Sequence, residues 1–267
     1  MLITDGELAL TAAQAGAAVV HARYGAPLTR FEKSAGDFAT TADIEAEKAI
    51  LDVLRTARPD DAVTGEESGR TGSGDAERMW LVDPLCGTLN YAARNMLVAV
   101  NVALRTSSGI TAAACADPFS GEIFWTDGEH ARVRCDGTDQ ELTPSPDSRL
   151  VDVNLDPPFP NEPRFRAVRL LAEPGFAERF RPRVVSTTLA LVWVAAGRRA
   201  AYVTDGRLRD NVHFAAGIAV CRAAGCVVTG IHGQPLHTGA GGLVVAADAE
   251  THATLLNLIA DQSPPDR

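Results

Sequence analysis

Apolar and polar positions divide the chain into an N-terminal helical part and later parts that favour strands. Apolar residues recur at helical spacing over residues 5–24 and again over about Thr41–Ala57, which predicts two helices. Gly25 and Pro27 end the first helix, and Pro59 lies just beyond the second. The polar residues between the two helices are interpreted as a loop.

Short runs of strand character follow the second helix. They lie at Met79–Val82, Leu97–Leu104, Ile110–Cys115, Glu122–Trp125 and Ala131–Arg134. Runs of this length that are bounded by turn residues favour strands. A meander of strands after two helices predicts an antiparallel sheet with helices on a face.

Beyond residues 143–146 the pattern alternates between strands and helices. Strands are predicted at residues 151–155, 183–185, 200–203, 226–229 and 243–246, and helices at residues 164–171, 189–196, 215–224 and 248–260. Such alternation predicts a second α/β layer. The predicted fold class is therefore α/β, an α+β layered sandwich, with an N-terminal α+β domain at residues 1–142 and a C-terminal α/β domain at residues 143–267.

Composition and charge narrow the function classes. Hydrophobic residues make up 46% of the 267 residues and charged residues 22%, which is typical of a globular protein. The net charge of −9 argues against a nucleic-acid partner, because phosphate backbones need clustered Lys and Arg. No apolar run reaches the roughly 20 residues of a membrane span, so no membrane partner is expected. Five cysteines without CxxC spacing, and no basic leader at Met1, favour a reduced cytoplasmic protein.

Four segments carry the residues of chemical interest. They are residues 33–43, 65–68, 80–91 and 210–217. In the third, Asp83 ends a predicted strand, and Gly87 with Thr88 opens a candidate helix N-terminus. Free N–H groups at a helix N-terminus bind phosphate, and carboxylates beside them hold Mg²⁺. Taken alone, however, Asp83 and Thr88 are better explained as turn caps.

Taken together, the four segments closely resemble the inositol monophosphatase superfamily of metal-dependent sugar and inositol phosphatases. Its pattern includes Gly-Glu-Glu, Asp-Pro-(Ile/Leu)-Asp-Gly-Thr and Trp-Asp-x-Ala-Ala-Gly. In this chain the corresponding residues are Gly65-Glu66-Glu67, Asp83-Pro84-Leu85-Cys86-Gly87-Thr88 and Val212-His213-Phe214-Ala215-Ala216-Gly217. Order and spacing agree, and the resemblance runs from about Lys33 to Ala247. It implies an inositol monophosphatase-like fold of alternating layers of helices and sheets.

The resemblance also implies roles for individual residues. Glu66 corresponds to a glutamate that binds metal and helps to position the attacking water. Asp83 corresponds to a bridging metal carboxylate, and the carbonyl of Leu85 to a backbone metal ligand. Thr88 corresponds to the hydroxyl that orients the nucleophilic water, with Asp43 supporting it. The implied catalytic residues are therefore Glu66, Thr88 and Asp43, and the implied metal ligands are Glu66, Asp83 and Leu85.

Phosphate binding is assigned to Gly87, Thr88 and His213 on the same basis. Lys33 lies where the family has a basic residue near the loop that covers the site, although a solvated lysine explains it nearly as well. Asp43 also has the spacing of a capping-box partner of Thr40, which is compatible with its implied role.

Two departures from the family pattern affect the metal site. Cys86 and His213 occupy positions where the family has aspartates that complete the second metal site. Thiol and imidazole suit softer metals than Mg²⁺. Mg²⁺ is the expected cofactor, with Mn²⁺ or Zn²⁺ as alternatives. Asp210 is a candidate substitute ligand, or an ordinary loop acid.

Three outcomes of these changes stay open. The chain could hydrolyse with fewer metals, with His213 as a cation that contacts phosphate. Asp83, Cys86 and His213 could instead bind Zn²⁺ or another transition metal, whose ligand set they resemble. Hydrolysis could also be lost, leaving a fold that binds phosphate for another purpose.

The leading functional expectation is a metal-dependent phosphatase that acts on a small phosphate monoester of the inositol or sugar phosphate class. The family resemblance also implies a homodimer. One alternative is a catalytically degenerate homologue that binds a phosphorylated ligand or a partner protein. Another is a repurposed enzyme that ionises the C–O bond of an apolar phosphate or diphosphate ester. That last alternative is motivated by the apolar residues Leu89, Val212 and Phe214 near the motifs.

Overall fold

The computed structural model describes residues 3–34, 37–73, 76–155, 167–239 and 241–261. In chain order its elements are α1 (Asp5–Arg23), β1 (Arg30–Ser34), β2 (Asp37–Thr40), α2 (Thr41–Ala57), β3 (Ala62–Gly65), β4 (Gly69–Thr71), β5 (Met79–Cys86), α3 (Thr88–Ala92), β6 (Ala99–Thr106), β7 (Gly109–Ala116), β8 (Ile123–Thr126), β9 (Ala131–Cys135), β10 (Thr138–Glu141), β11 (Leu150–Val153), α4 (Ala167–Ala172), α5 (Pro174–Arg179), β12 (Arg181–Val184), α6 (Leu189–Ala195), β13 (Ala201–Thr204), α7 (Ala215–Ala223), β14 (Val227–Thr229), β15 (Leu243–Ala246) and α8 (Ala249–Ala260). None of the helices in the described ranges combines the length and apolar character that a membrane crossing requires.

The two N-terminal helices form where the periodicity predicts them. At the start of α1 the Thr4 side chain accepts a hydrogen bond from the Glu7 amide. At the start of α2, Thr40 and Asp43 form a capping box. The Thr40 side chain accepts a hydrogen bond from a backbone amide of the first turn, and the Asp43 carboxylate accepts one from the Thr40 amide. These caps satisfy amide groups that have no partner within the helix, so local sequence is enough to set both helix starts.

The chain divides into two compact units. The first consists of Met1–Glu141, Thr187–Leu189 and Asp210–Ala223, and the second of the remaining residues. The break after residue 141 is close to the predicted boundary at residue 142. His213, however, belongs to the same unit as Asp83 and not to the predicted C-terminal domain, because its segment returns to the first unit.

An eight-stranded sheet forms the centre of the first unit, in the order β10-β9-β8-β7-β6-β5-β3-β4. The pairings are antiparallel except for β3 with β5, which are parallel. Helices α1 and α2 contact one face, and α7 contacts β6, β7 and β8. The apolar side chains separate accordingly: Trp80 and Val82 belong to the cluster with α1 and α2, and Met79 and Leu81 to the cluster with α7. Helices therefore cover both faces of this sheet, whereas the sequence predicted helices on one face only.

The alternation of side chains along β5 explains the direction in which Asp83 points. Successive side chains of a strand point to opposite faces, so Asp83 lies on the same face as Met79 and Leu81, the face that α7 covers. The pairing register of β5 with β6 shifts between Asp83 and Cys86. Such an irregularity re-aims side chains and lets two residues at odd spacing approach one place.

The segment between α1 and α2 is a hairpin, so its interpretation as a loop was wrong. Strands β1 and β2 pair antiparallel, with Phe31 opposite Ala39. A polar strand with one large apolar residue gives little periodic signal, and the pairing itself supplies the order. Ala35 and Gly36 of the first motif lie outside the described residues.

The second unit contains a five-stranded mixed sheet in the order β12-β11-β13-β15-β14. The pairs of β11 are parallel and those of β15 antiparallel. Its core includes Val151, Phe176, Val203, Val244 and Leu255. The predicted alternation of strands and helices is confirmed, with strand β15 as predicted. The predicted start of one helix at residue 164 lies outside the described residues, and the helix found there begins at Ala167.

Candidate active site

Two carboxylates meet at the ends of two parallel strands of the first unit. Glu66 follows β3 directly, and its amide donates to the Val82 carbonyl of β5 at 3.0 Å, which extends the pairing. Asp83 is the next residue of β5 and is fully buried. Because parallel neighbours end at the same edge of a sheet, the two acids lie side by side.

His213 lies between these acids. Its Nδ1 is 2.8 Å from Asp83 Oδ2 and 3.9 Å from Glu66 Oε2. His213 lies two residues before the start of α7 at Ala215, and its amide donates to the Asn211 side chain at 2.9 Å. The start of α7 on the sheet face to which Asp83 points therefore brings together residues 130 positions apart.

Burial and charge perturb all three groups. Burial, together with the negative charge of Asp83, raises the pKa of Glu66 to about 8. Burial also acts to raise the pKa of Asp83, but the charge and hydrogen bond of His213 outweigh it, so that this pKa lies below its ordinary value. Burial acts to lower the pKa of His213, yet Asp83 raises it well above the ordinary value. The cluster therefore attracts positive charge strongly.

Lys33 supplies a second cation. Its Nζ is 3.1 Å from Glu66 Oε1 and 2.7 Å from Glu67 Oε1. Glu66 Oε1 therefore has a partner, whereas Oε2 is buried and has no hydrogen-bond partner among the described residues. A buried carboxylate oxygen without a partner is costly, and here it faces the His213 and Asp83 side.

Thr88 and Asp43 form the polar pair expected from the sequence. Thr88 Oγ1 lies 2.8 Å from Asp43 Oδ1 and 3.2 Å from the Leu85 carbonyl oxygen. Burial raises the pKa of Asp43, although hydrogen bonds from Thr40 and Thr88 oppose that effect. Gly87, at φ 100°, has a backbone conformation that favours glycine, and it turns the chain from β5 into α3.

Cys86 completes a cluster with Asp83 and His213. One ligand atom from each residue lies within 4.8 Å of those of the other two, and Cys86 carries a free thiol. Burial, with the nearby charge of Asp83, raises the pKa of that thiol. Carboxylate, thiolate and imidazole are all metal ligands, and together they form a mixed oxygen, sulfur and nitrogen donor set.

Three further residues position the site, and the motifs alone do not identify them. Asn101 Nδ2 is 3.2 Å from Asp83 Oδ2 and 2.8 Å from Thr188 Oγ1. Glu47 accepts hydrogen bonds from the amides of Glu67 and Ser68, both at 2.8 Å, and so holds the turn after β3. A polar Asn within the apolar run of β6 was the available signal for Asn101. Glu47 and Thr188 gave no comparable signal.

The described residues fit a metal ion. Glu66 Oε2 is buried and without a hydrogen-bond partner in the part of the chain that the structure describes, and Asp83 Oδ2 is directed to the same place. Carboxylate oxygens suit Mg²⁺ or Mn²⁺, and the Leu85 carbonyl lies two residues from Asp83. Of the oxygen ligands that the family resemblance implies, Glu66 and Asp83 thus come together in the structure, and the Leu85 carbonyl stays a prediction.

The family model described as "Inositol monophosphatase family" matches residues 5–263. The chain belongs to this family. The match covers both compact units and all the site residues described above.

Two bacterial relatives are similar to this chain over most of its length. An "Inositol-1-monophosphatase" from Caulobacter vibrioides is 30% identical over 233 residues, covering 84% of this chain and 88% of the relative. A protein named "Nus factor SuhB" from Escherichia coli strain K12 is 31% identical over 261 residues, covering 94% of each.

Solved structures have the same fold. The extragenic suppressor protein suhB from Bartonella henselae superposes with a TM-score of 0.80 at 25% identity, covering 94% of this chain and 97% of the other. An IMPase from Thermotoga maritima also gives 0.80, covering 96% of each chain, and at 17% identity it supports the fold alone. The layered arrangement of helices and sheets expected from the sequence is therefore confirmed.

Asp210, the candidate substitute ligand, does not reach the site. Asp210 Oδ2 is 3.0 Å from an Arg105 nitrogen, and its side chain is 48% exposed. It therefore forms a surface ion pair and does not join the cluster of Asp83 and His213.

The apolar surroundings that motivated C–O ionisation are also only partly present. Phe214 is 1% exposed, in the core, and Val212 packs against the α7 cluster. Leu89 alone of the three is largely exposed, at 62%.

Proposed function

We propose that this member of the inositol monophosphatase family is a metal-dependent phosphatase that hydrolyses a small phosphate monoester of the inositol or sugar phosphate class. The observation that carries the proposal is the convergence of Glu66 and Asp83 at one buried place, beside the Thr88–Asp43 pair. Family membership supports metal-dependent phosphatase chemistry, and the substrate class is our proposal.

Each group has a distinct task. Glu66, Asp83 and the Leu85 carbonyl would hold Mg²⁺ or Mn²⁺. The bound ion would supply Lewis acidity and offset the charge of the phosphate ester. Thr88, held by Asp43, has a hydroxyl whose lone pairs accept a hydrogen bond from water, and this orients the nucleophile toward phosphorus.

A groove next to Glu66 offers room for a small metabolite. Its volume is about 610 Å³, within the range of ordinary ligand sites. Besides apolar residues, three basic and five acidic residues line it: Lys33, Lys48, Arg55, Glu32, Glu47, Asp52, Glu66 and Glu67. Because acids outnumber bases in this lining, a phosphate ester would depend on a bound metal ion for its attraction to the groove.

The test is phosphate release from a panel of inositol, sugar and nucleotide monophosphates with Mg²⁺, Mn²⁺ or Zn²⁺. Release with at least one ester and one metal is expected. Glu66→Gln should abolish release, because it removes the charged ligand while keeping the side-chain shape. Glu67→Gln is the matched control, since Glu67 also pairs with Lys33, and it should keep most of the activity.

Absence of release with every ester and metal would contradict the proposal. Equal loss in Glu66→Gln and Glu67→Gln would assign the effect to the Lys33 contacts rather than to a metal ligand.

A second candidate function is phosphate binding without turnover. It is favoured by the internal cations: Lys33 pairs with Glu66, and His213 with Asp83, so both carboxylates are already neutralised. Calorimetry that detects binding of a phosphorylated ligand without phosphate release would support this candidate. The homodimer and the cytoplasmic location remain predictions from the sequence, and light scattering tests the first.

A further inference from the structure

The two residues that depart from the family pattern lie together against the same carboxylate. Cys86, His213 and Asp83 each offer a ligand atom within 4.8 Å of the other two. We propose that these three residues form a site for one Zn²⁺ ion, bound through the Cys86 thiolate in preference to Mg²⁺. This deepens the proposed function and depends on it only in assuming that the site binds metal.

The donor chemistry selects the metal class. Mg²⁺ demands oxygen ligands in near-octahedral geometry and sheds water reluctantly, so a thiolate and an imidazole are poor ligands for it. Zn²⁺ accepts sulfur, nitrogen and carboxylate oxygen in a four-coordinate arrangement. Two substitutions that each exchange an oxygen donor for a softer one, at the same ligand cluster, therefore change the metal preference in the same direction.

Three protein ligands leave the fourth position of a four-coordinate Zn²⁺ ion to water or substrate, as in catalytic zinc sites. Glu66 Oε2 is buried and without a hydrogen-bond partner in the described ranges, and it lies 3.9 Å from His213 Nδ1. It is not among the three residues whose ligand atoms all lie within 4.8 Å of one another. Glu66 therefore borders this site and stays with the oxygen ligands.

Neighbouring residues orient the ligands. Asn101 donates to Asp83 Oδ2, and the Leu85 amide lies 3.1 Å from Asp83 Oδ1, so the carboxylate cannot rotate freely. Asn101 also donates to the Thr188 hydroxyl at 2.8 Å, and Thr188 acts to lower the pKa of the Cys86 thiol. Outer contacts of this kind fix ligand geometry and strengthen metal binding.

The short contact between His213 and Asp83 is compatible with such an ion. His213 Nδ1 lies 2.8 Å from Asp83 Oδ2, which is an ordinary hydrogen-bond distance. Ligating histidine is neutral and ligating cysteine is a thiolate, so the ion takes the place of protons on both residues. The competing arrangement, a metal-free hydrogen-bonded trio, keeps those protons.

Co²⁺ substitution of the full-length chain distinguishes the two arrangements. The protein is stripped with a chelator and titrated with Co²⁺ in excess Mg²⁺. We expect intense visible bands of a four-coordinate ion and a near-ultraviolet sulfur-to-cobalt charge-transfer band, both removed by Zn²⁺. Absence of the charge-transfer band, or loss of Zn²⁺ to excess Mg²⁺, would overturn the proposal.

Matched variants locate the sulfur. Cys86→Ser should remove the charge-transfer band and weaken Zn²⁺ binding by about 100-fold, whereas Thr188→Val should keep the band and weaken binding by about 10-fold. Cys135→Ser is the control, because Cys135 is a partly buried cysteine on β9, and it should leave spectrum and affinity unchanged. Retention of the band in Cys86→Ser would also overturn the proposal.

The double variant Cys86→Asp with His213→Asp restores an acid at both positions. It should lose the preference for Zn²⁺ and bind Mg²⁺ more tightly, and unchanged metal preference would count against the proposal. Phosphate release with Mg²⁺ but no cobalt–sulfur band would leave the proposed phosphatase intact while this inference fails. A cobalt–sulfur band without release from any ester would support the zinc site and contradict the proposed phosphatase.

Discussion

The candidate site has two halves that share Asp83 but differ in their donor atoms. One half, formed by Glu66, the Leu85 carbonyl and the Thr88–Asp43 pair, consists of oxygen donors only. The other, formed by Cys86 and His213, supplies sulfur and nitrogen. The backbone of β5 and the approach to α7 place both halves. The comparison teaches that this fold sets where ligands converge, whereas side-chain identity sets which cation they favour.

Asp83→Asn affects both halves and should have the largest effect. It removes the shared charge while keeping the shape of the side chain. Phosphate release should therefore fall by about 10³-fold, and the variant should bind neither Mg²⁺ nor Zn²⁺. Release assays and metal analysis measure this. The control is Asp152→Asn, a buried acid of the second unit that pairs with Arg199 and should leave activity unchanged. Loss of only one metal would mean that the halves do not share Asp83.

Thr88→Val should affect the oxygen half alone. Without the hydroxyl that orients water, release should fall by about 10²-fold, and Thr88→Ser should restore most of it. The cobalt spectrum should not change, because Thr88 hydrogen-bonds Asp43 and the Leu85 carbonyl rather than Cys86 or His213. A changed spectrum would show that the halves are coupled through β5.

Lys33→Met should have a smaller effect of opposite sign on metal binding. Lys33 pairs with Glu66 and competes with a metal for that carboxylate. Removing a partly exposed ion pair of this kind should tighten Mg²⁺ binding by about 2–5-fold. Lys48→Met, a lysine of the same groove, is the control in the Mg²⁺ titration. Weaker Mg²⁺ binding in Lys33→Met would contradict competition.

The smallest effect concerns the acid side of the pH profile. Burial raises the pKa of Asp43, and the hydrogen bond from Thr88 lowers it in part. If ionised Asp43 is needed, activity is lost as pH falls through this raised pKa. Thr88→Val removes a bond to the charged form, so its residual activity should fall off at a higher pH than that of the wild type. Rates measured across the acid range test the direction, and an unshifted profile would exclude Asp43 as the titrating group.

Much of the fold could be predicted because its signals are local. The helix over Thr41–Ala57 follows from 3.6-residue periodicity and from a capping box within four residues, and both are independent of the rest of the chain. The hairpin of β1 and β2 was missed because its order comes from pairing, which leaves little trace in composition. Helices on the second face of the first unit's sheet were missed for a similar reason, since α7 follows that sheet only after a long separation in sequence.

The sequence motifs alone identified Glu66, Asp83 and Thr88 as candidate site residues. They also identified Cys86 and His213 as the two positions where sulfur and nitrogen replace acids. Tertiary structure decided that His213 contacts Asp83 while Asp210, three residues earlier, turns away to Arg105. It also decided that Asn101 and Thr188 support the cluster. The physical reason is that residue type and short-range spacing are written along the chain, whereas a contact across 130 positions depends on how a strand irregularity and a helix start meet on one face of a sheet.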